Sequence, residues 1–276
     1  MFRKVGTGFR KRSCSNKKLD HDCDHGLAGE HDRINVAAVV GFLQMGQSPN
    51  SNATLNVNTT STVNVGTNLI VGLNAAARAT VNVGGANAVI NAPGFSAPFP
   101  GTGALGDPIP GGNGTVNVAA GGRLNMNSFG ASIANNPDAN GFVSISGANA
   151  AIVGTGTAQL VVGGAGHATL SISSGGRFDT TGASAGDGNA FFGADLAGTS
   201  VTTVNAGTLA IGGQMQVGGA GGDDGSPATV TATNGGFVQA NRYRGLQTLR
   251  VRILLRSREV VVLSHGALRS TYIARS

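Results

Sequence analysis

From Ala53 onward, apolar and polar residues alternate in short bursts that end at glycine. A five-residue phrase recurs as Ala53-Thr54-Leu55-Asn56-Val57, Ser61-Thr62-Val63-Asn64-Val65, Ala79-Thr80-Val81-Asn82-Val83, Gly114-Thr115-Val116-Asn117-Val118 and Ala168-Thr169-Leu170-Ser171-Ile172. Weaker copies stand at Thr203-Val204-Asn205 and Ala228-Thr229-Val230-Thr231-Ala232. A period of two sends Leu and Val to one side of the chain and Thr, Asn and Ser to the other, so each phrase predicts a short half-buried β-strand.

Longer alignment extends the phrase into a unit. The stretches beginning at Thr115 and Thr169 match through Gly121-Gly122 and Gly175-Gly176 to Arg123-Leu124 and Arg177-Phe178, and Thr229 repeats the frame through Gly235-Gly236 to Val238. Each Gly pair predicts a turn that needs φ > 0. A second phrase precedes the Thr strand, at Leu69-Ile70-Val71-Gly72, Leu160-Val161-Val162-Gly163 and Met215-Gln216-Val217-Gly218. The unit reads strand, Gly turn, Thr strand, Gly-Gly turn, strand.

One unit exposes an apolar stripe that it cannot bury alone, whereas stacked units build a continuous interior. Asn side chains on successive coils can then stack into ladders. The prediction is an all-β chain, a right-handed parallel β-helix (β-solenoid) with irregular repeats and loop insertions, right-handed because crossovers between parallel strands are. Residues 53–241 form the repeat region, with a Pro/Gly-rich insertion at 93–114 in which Phe95, Phe99, Leu105 and Ile109 supply local packing. Eight to ten coils rising by the interstrand spacing would make a rod about 40–50 Å long.

Composition agrees with this reading and narrows it. The 276 residues include 46 Gly and no Trp, with 12% charged and 40% apolar residues, enough to bury a core. The net charge of +6 is unevenly spread. Residues 1–33 hold eight Lys/Arg against five Asp/Glu, a net of +3, and residues 242–276 hold eight Arg against Glu259, a net of +7. Residues 34–241 carry Arg78, Arg123 and Arg177 against seven Asp, a net of −4, which argues against nucleic acid as a partner of the central region. Cys14 and Cys23 both lie in the charged head, which reads as disordered. The apolar segment within 34–52, Ile34 to Met45, reads either as the apolar core of an export signal or as a first buried strand. No stretch reaches the 18 apolar residues that a membrane-spanning helix requires.

Chemistry-bearing clusters are few. His21, Cys23 and His25 alternate with aspartates, a spacing that suits adventitious zinc binding better than a dedicated site with ligands held on turns. Asp223 and Asp224 follow a glycine run that approximates a calcium-binding nonapeptide, but Gly225 stands where the large apolar residue belongs, so a plain turn insertion is the simpler reading. Gly182 to Gly188, with Asp187, is a weaker version of the same pattern. Asp179, Asp187 and Asp195 are candidates for the converging carboxylates of a polysaccharide-cleaving β-helix. His167 reads as a solvated residue of a Gly turn. Residues 34–241 contain no Glu, Tyr or Trp, so neither a catalytic residue nor a cofactor site is assigned.

The run from Leu160 to Arg177 resembles the repeats of autotransporter (type V secretion) passengers, and of surface proteins carrying a PEP-type C-terminal sorting signal. The resemblance covers residues 53–241 and supplies no catalytic residues. It implies a secreted or surface-displayed glycine-rich segment at the bacterial outer membrane, adhesive or a stalk, with surface polysaccharide or another cell-surface protein as partner. Residues 242–276 are too short for a translocator barrel and lack a Pro-Glu-Pro element, which leads to the expectation of a truncated or frame-shifted end. The alternative is a C-terminal cap built on Leu249-Arg250-Val251-Arg252-Ile253.

Overall fold

The computed structural model describes residues 26–27, 32–34, 38–41, 43–46, 48–74, 76–97, 101–102, 108–109, 112–194, 198–218 and 227–245. Within them the chain is all-β, a parallel β-solenoid of about six turns. No helix long and apolar enough to cross a membrane occurs among the described residues.

Every coil has three faces, because the backbone turns three corners between one Thr strand and the next. The first face stacks eight parallel strands: Asp32–Ile34, Asn52–Val57, Arg78–Val83, Asn113–Val118, Asn140–Ser146, His167–Ser173, Thr199–Asn205 and Ala228–Thr233. The second face follows the turn, as Thr62–Val65 in one coil and as the opening residues of Val89–Ala97, Arg123–Ile133, Ala151–Gly156, Arg177–Ala183, Thr208–Val217 and Phe237–Gly245 in later ones. The third face holds Leu43–Met45, Asn68–Val71, Leu160–Val162 and Ala190–Phe192, together with the closing residues of the longest strands. All these pairings are parallel. The one antiparallel pair among the described residues, Gly101–Thr102 with Pro108–Ile109, sits in the insertion.

The stack reaches beyond residues 53–241. Asp32–Ile34 pairs with residues 55–57, Ala38–Val40 with residues 63–65 and Leu43–Met45 with residues 69–71, so the head and the Ile34 to Met45 segment contribute strands. At the other end Phe237–Gly245 runs into the Arg-rich stretch. The insertion is shorter than its Pro and Gly content suggests, since Val89–Ala97 and Asn113–Val118 both belong to the stack and Phe95 is a core residue.

Coils are also longer and fewer than the phrase count implies. Stacked partners are 26 residues apart for Asn56 and Asn82, 35 for Asn82 and Asn117, 27 for Ser146 and Ser173, and 32 for His167 and Thr199. The eight strands of the first face span about 34 Å at the usual interstrand spacing. Two strands sit where the phrase count does not place them, the first removing a coil from the count and the second adding one. The Thr62–Val65 phrase lies on the second face, and Asn140–Ser146 is a first-face strand in which Phe142 takes the Thr position.

Alternation then builds the interior. Leu55, Val81, Val116, Val143 and Leu170 form one inward column, and Val63, Ile90, Leu124, Ile152, Phe178 and Leu209 form another, every one of them buried. Each such side chain contributes about 1.5–3 kcal/mol on leaving water. The turn between first and second faces uses its glycines for two different reasons. Gly175 has φ of 85°, where a side chain is strained, while a Cβ on Gly176 would stand 2.4 Å from the carbonyl oxygen of Ile145 in the coil below.

One coil breaks the pattern. In Thr199–Asn205 the apolar residues are three apart, so both cannot face inward; Val204 is buried, Val201 is 47% exposed, and Thr202 and Ser200 point into the core with unpaired hydroxyls. Thr203 accordingly sits opposite Ser171, two positions from the slot its Thr-apolar-Asn phrase suggests. Thr202→Val replaces an unsatisfied buried hydroxyl by a methyl of the same shape. It is expected to stabilise the protein by about 1–2 kcal/mol, read as a higher urea midpoint at unchanged m-value.

Candidate binding face

The outward side of the first face is a lattice of small polar groups. Among the outward positions of each strand, two are filled repetitively in the same register through the stack, giving a Thr column (Thr54, Thr80, Thr115, then Thr169 and Thr229) and an amide and hydroxyl column (Asn56, Asn82, Asn117, then Ser144, Ser171, Thr203 and Thr231). Neighbours are about 4.8 Å apart between strands and about 6.7 Å apart along a strand. The amide column holds itself in place: Asn82 Nδ2 donates to Asn56 Oδ1 and Asn117 Nδ2 to Asn82 Oδ1, both at 2.8 Å. A second ladder, Asn64, Asn91 and Asn125, does the same on the second face, again at 2.8 Å. The predicted Asn ladders therefore exist, three members deep on each of two faces.

Charge is almost absent from this lattice. From Asn52 to Thr233 the outward positions of the first face include only Arg78 and His167 as ionisable residues. His167 opens a strand instead of lying in a Gly turn, and its Nδ1 is 2.8 Å from Thr199 Oγ1 of the next coil.

Phe142 interrupts the Thr column. Its ring is 41% exposed, between Thr115 and Thr169 on the flanking strands and between Asn140 and Ser144 on its own. Asn113 and Asn117 complete the grid on one side, His167 and Ser171 on the other. All eight positions around the ring carry hydrogen-bonding side chains. The hydroxyls of Thr115, Ser144, Thr169 and Ser171 make no hydrogen bond to the described protein and face outward. Sequence reading missed this place because Phe142 hides the strand from a search keyed on Thr; the Val143-Ser144-Ile145 alternation that follows was the available signal.

The candidate carboxylates do not converge among the described residues. Asp179 lies on the outward side of the second face, with Val153 and Ala210 as its register neighbours. It is fully engaged: Thr181 donates both its N–H, at 2.8 Å, and its hydroxyl, at 2.6 Å, to Oδ1, and the Arg177 guanidinium pairs with Oδ2. Asp187 is in the turn after Arg177–Ala183, where its N–H donates to the Ser184 carbonyl. Asp195, the calcium candidates Asp223 and Asp224, and the zinc candidates His21, Cys23 and His25 lie outside the described residues. Among the described residues no three His, Cys, Asp or Glu side chains gather into a metal-sized group.

Partial burial works to raise the Asp179 pKa, but the two Thr181 hydrogen bonds and the Arg177 charge outweigh it and hold the carboxyl below its ordinary value of 3.8. A depressed carboxyl stabilises the fold above its unfolded-state pKa, and that contribution is lost as pH falls through the folded-state value. Asp179→Asn is therefore expected to lower the melting temperature above about pH 5, and its difference from the parent protein is expected to shrink as pH falls below 3.8. Thermal melts across that range check it.

Compared with models of known families, with curated proteins and with solved structures, the chain finds no match in any of the three.

Proposed function

We propose that this chain is the structural and adhesive segment of an exported protein, displayed at the bacterial surface in the manner of an autotransporter passenger, and that it acts by contact without turnover. The observation that carries this reading is the first face: a wide polar lattice, nearly free of charge, held in one register from Asn52–Val57 to Ala228–Thr233 despite coils of unequal length. Repeated weak contacts over such a surface add up as avidity, which is what attachment requires. The Leu160 to Arg177 run, with its passenger-like phrase, supports the exported setting. Saturation of Asp179 by Arg177 and Thr181 supports the absence of turnover, since a carboxylate held this way is a poor proton donor or nucleophile.

Microspheres coated with the full chain, washed under flow over immobilised polysaccharides and over whole bacterial cells, test the reading. Retention well above albumin-coated spheres is expected, with no release of reducing ends from any polysaccharide. Retention equal to albumin, or steady release of reducing ends, would overturn it.

A further inference from the structure

Within that adhesive reading, we infer that the grid centred on Phe142 is a glycan-binding site that takes a neutral polysaccharide. A pyranose ring has one apolar face of C–H groups and a rim of hydroxyls. The exposed Phe142 ring offers the complementary platform, an apolar disc whose negative π-face attracts C–H groups. Around it, Thr115, Ser144, Thr169 and Ser171 present hydroxyls that each donate once and accept twice, while Asn140 and His167 add amide and imidazole groups on the same outward side. A sugar stacked on the ring brings its rim hydroxyls over these groups.

Three observations favour a sugar over a protein partner. Phe142 is ringed by polar residues, whereas the anchoring aromatic of a protein interface sits within an apolar core patch. The next exposed apolar side chain in its column, Val201, stands two coils away with Thr169 between. The one ionisable residue of the grid is His167, and the first-face guanidinium of Arg78 stands two coils away, so the surroundings suit an uncharged chain better than an acidic or sulfated one. The flat lattice continues beyond the site in both directions along the stack, so a polymer can contact successive coils while one residue occupies the platform.

The register supplies a clean variant. Phe142→Thr installs the residue found at the same position in both neighbouring strands, on the solvent side, so the fold and its melting temperature are expected to stay unchanged. Val201→Thr does the same two coils away and serves as the control. Full-length protein is incubated with microcrystalline cellulose, chitin and insoluble xylan, and the bound fraction is measured in pull-down. Binding to at least one of these, reduced tenfold or more in Phe142→Thr and unchanged in Val201→Thr, is the expected result. Equal binding by Phe142→Thr, or no binding of the parent chain to any of the three, overturns the site. If coated spheres still adhere to cells in either of those cases, the site alone falls and the adhesive reading stands; loss of both removes the reading as well.

Discussion

Replacing Gly130 with valine is expected to destabilise the protein by at least about 3 kcal/mol and to open the third face locally. Two costs coincide at this position. Its φ of 78° is a left-handed conformation that a β-branched residue adopts only under strain, and a Cβ there would lie 2.0 Å from the carbonyl oxygen and 2.3 Å from the nitrogen of Gln159. The near contact is backbone, so no rotamer relieves it. Gly130 closes the bulge after Met126, where Arg123–Ile133 turns from the second face to the third, and the next residue's N–H donates to that same Gln159 carbonyl at 2.7 Å. Urea melts with circular dichroism give the loss. A valine variant as stable as the parent would show that the bulge is not held by this approach of coil to coil.

Phe178→Ala is expected to cost about 3–5 kcal/mol, the usual range for emptying a buried aromatic site. Phe178 is fully buried on the second face, stacked between Ile152 and Leu209. Because each coil touches only its neighbours, a cavity here separates the coils before it from those after it. Unfolding is expected to change from one transition to two in a scanning calorimeter, with the shorter C-terminal part melting first. A single sharp transition at lower temperature would mean that the stack unfolds as one cooperative block. The contrast with Phe142 is instructive, since the two phenylalanines differ in little but which way the strand's alternation points them: inward emptying is costly, outward exchange for Thr is expected to be silent.

That alternation is also what made the fold readable. A period of two with Gly-Gly punctuation exposes strand, turn and stacking logic directly, and the three-strand unit, the Asn ladders and the positive φ at Gly121, Gly175 and Gly235 all follow from local residue choice. What local pattern does not encode is which face a strand joins. Thr62-Val63-Asn64-Val65 and Thr80-Val81-Asn82-Val83 are identical phrases, yet the first packs on the second face and the other on the first. The distinction is made by the strand each one stacks upon, a contact a whole coil away in the chain. The coil estimate was too high for the same reason. The inverted coil at Thr199–Asn205 follows another competition: with Val201 and Val204 three apart, register with His167–Ser173 decides which is buried, and Val201 is left outside.

The candidate face was legible only in part. Its Thr and Asn columns could be written down from the repeats, but the Phe142 platform required knowing that Asn140–Ser146 is a first-face strand. Asp179 was noticed as a carboxylate; that Arg177 and Thr181 take up its oxygens depends on the two-residue reach along one strand and could have been guessed from Arg177-Phe178-Asp179.

Unequal coil length has a practical side. The coil from Arg78 carries its surplus residues between Val89–Ala97 and Asn113–Val118, at the corner joining the third face to the first, and still delivers Asn117 into hydrogen-bonding distance of Asn82 across 35 residues. The corner from first to second face stays at two to five residues throughout, as between Asn205 and Thr208. The rod thus behaves like a rack whose most tolerant edge is this corner: a foreign peptide epitope spliced after Ala97 is expected to leave the rungs on either side in register, and several such cargoes could be spaced along one chain by choosing the coil.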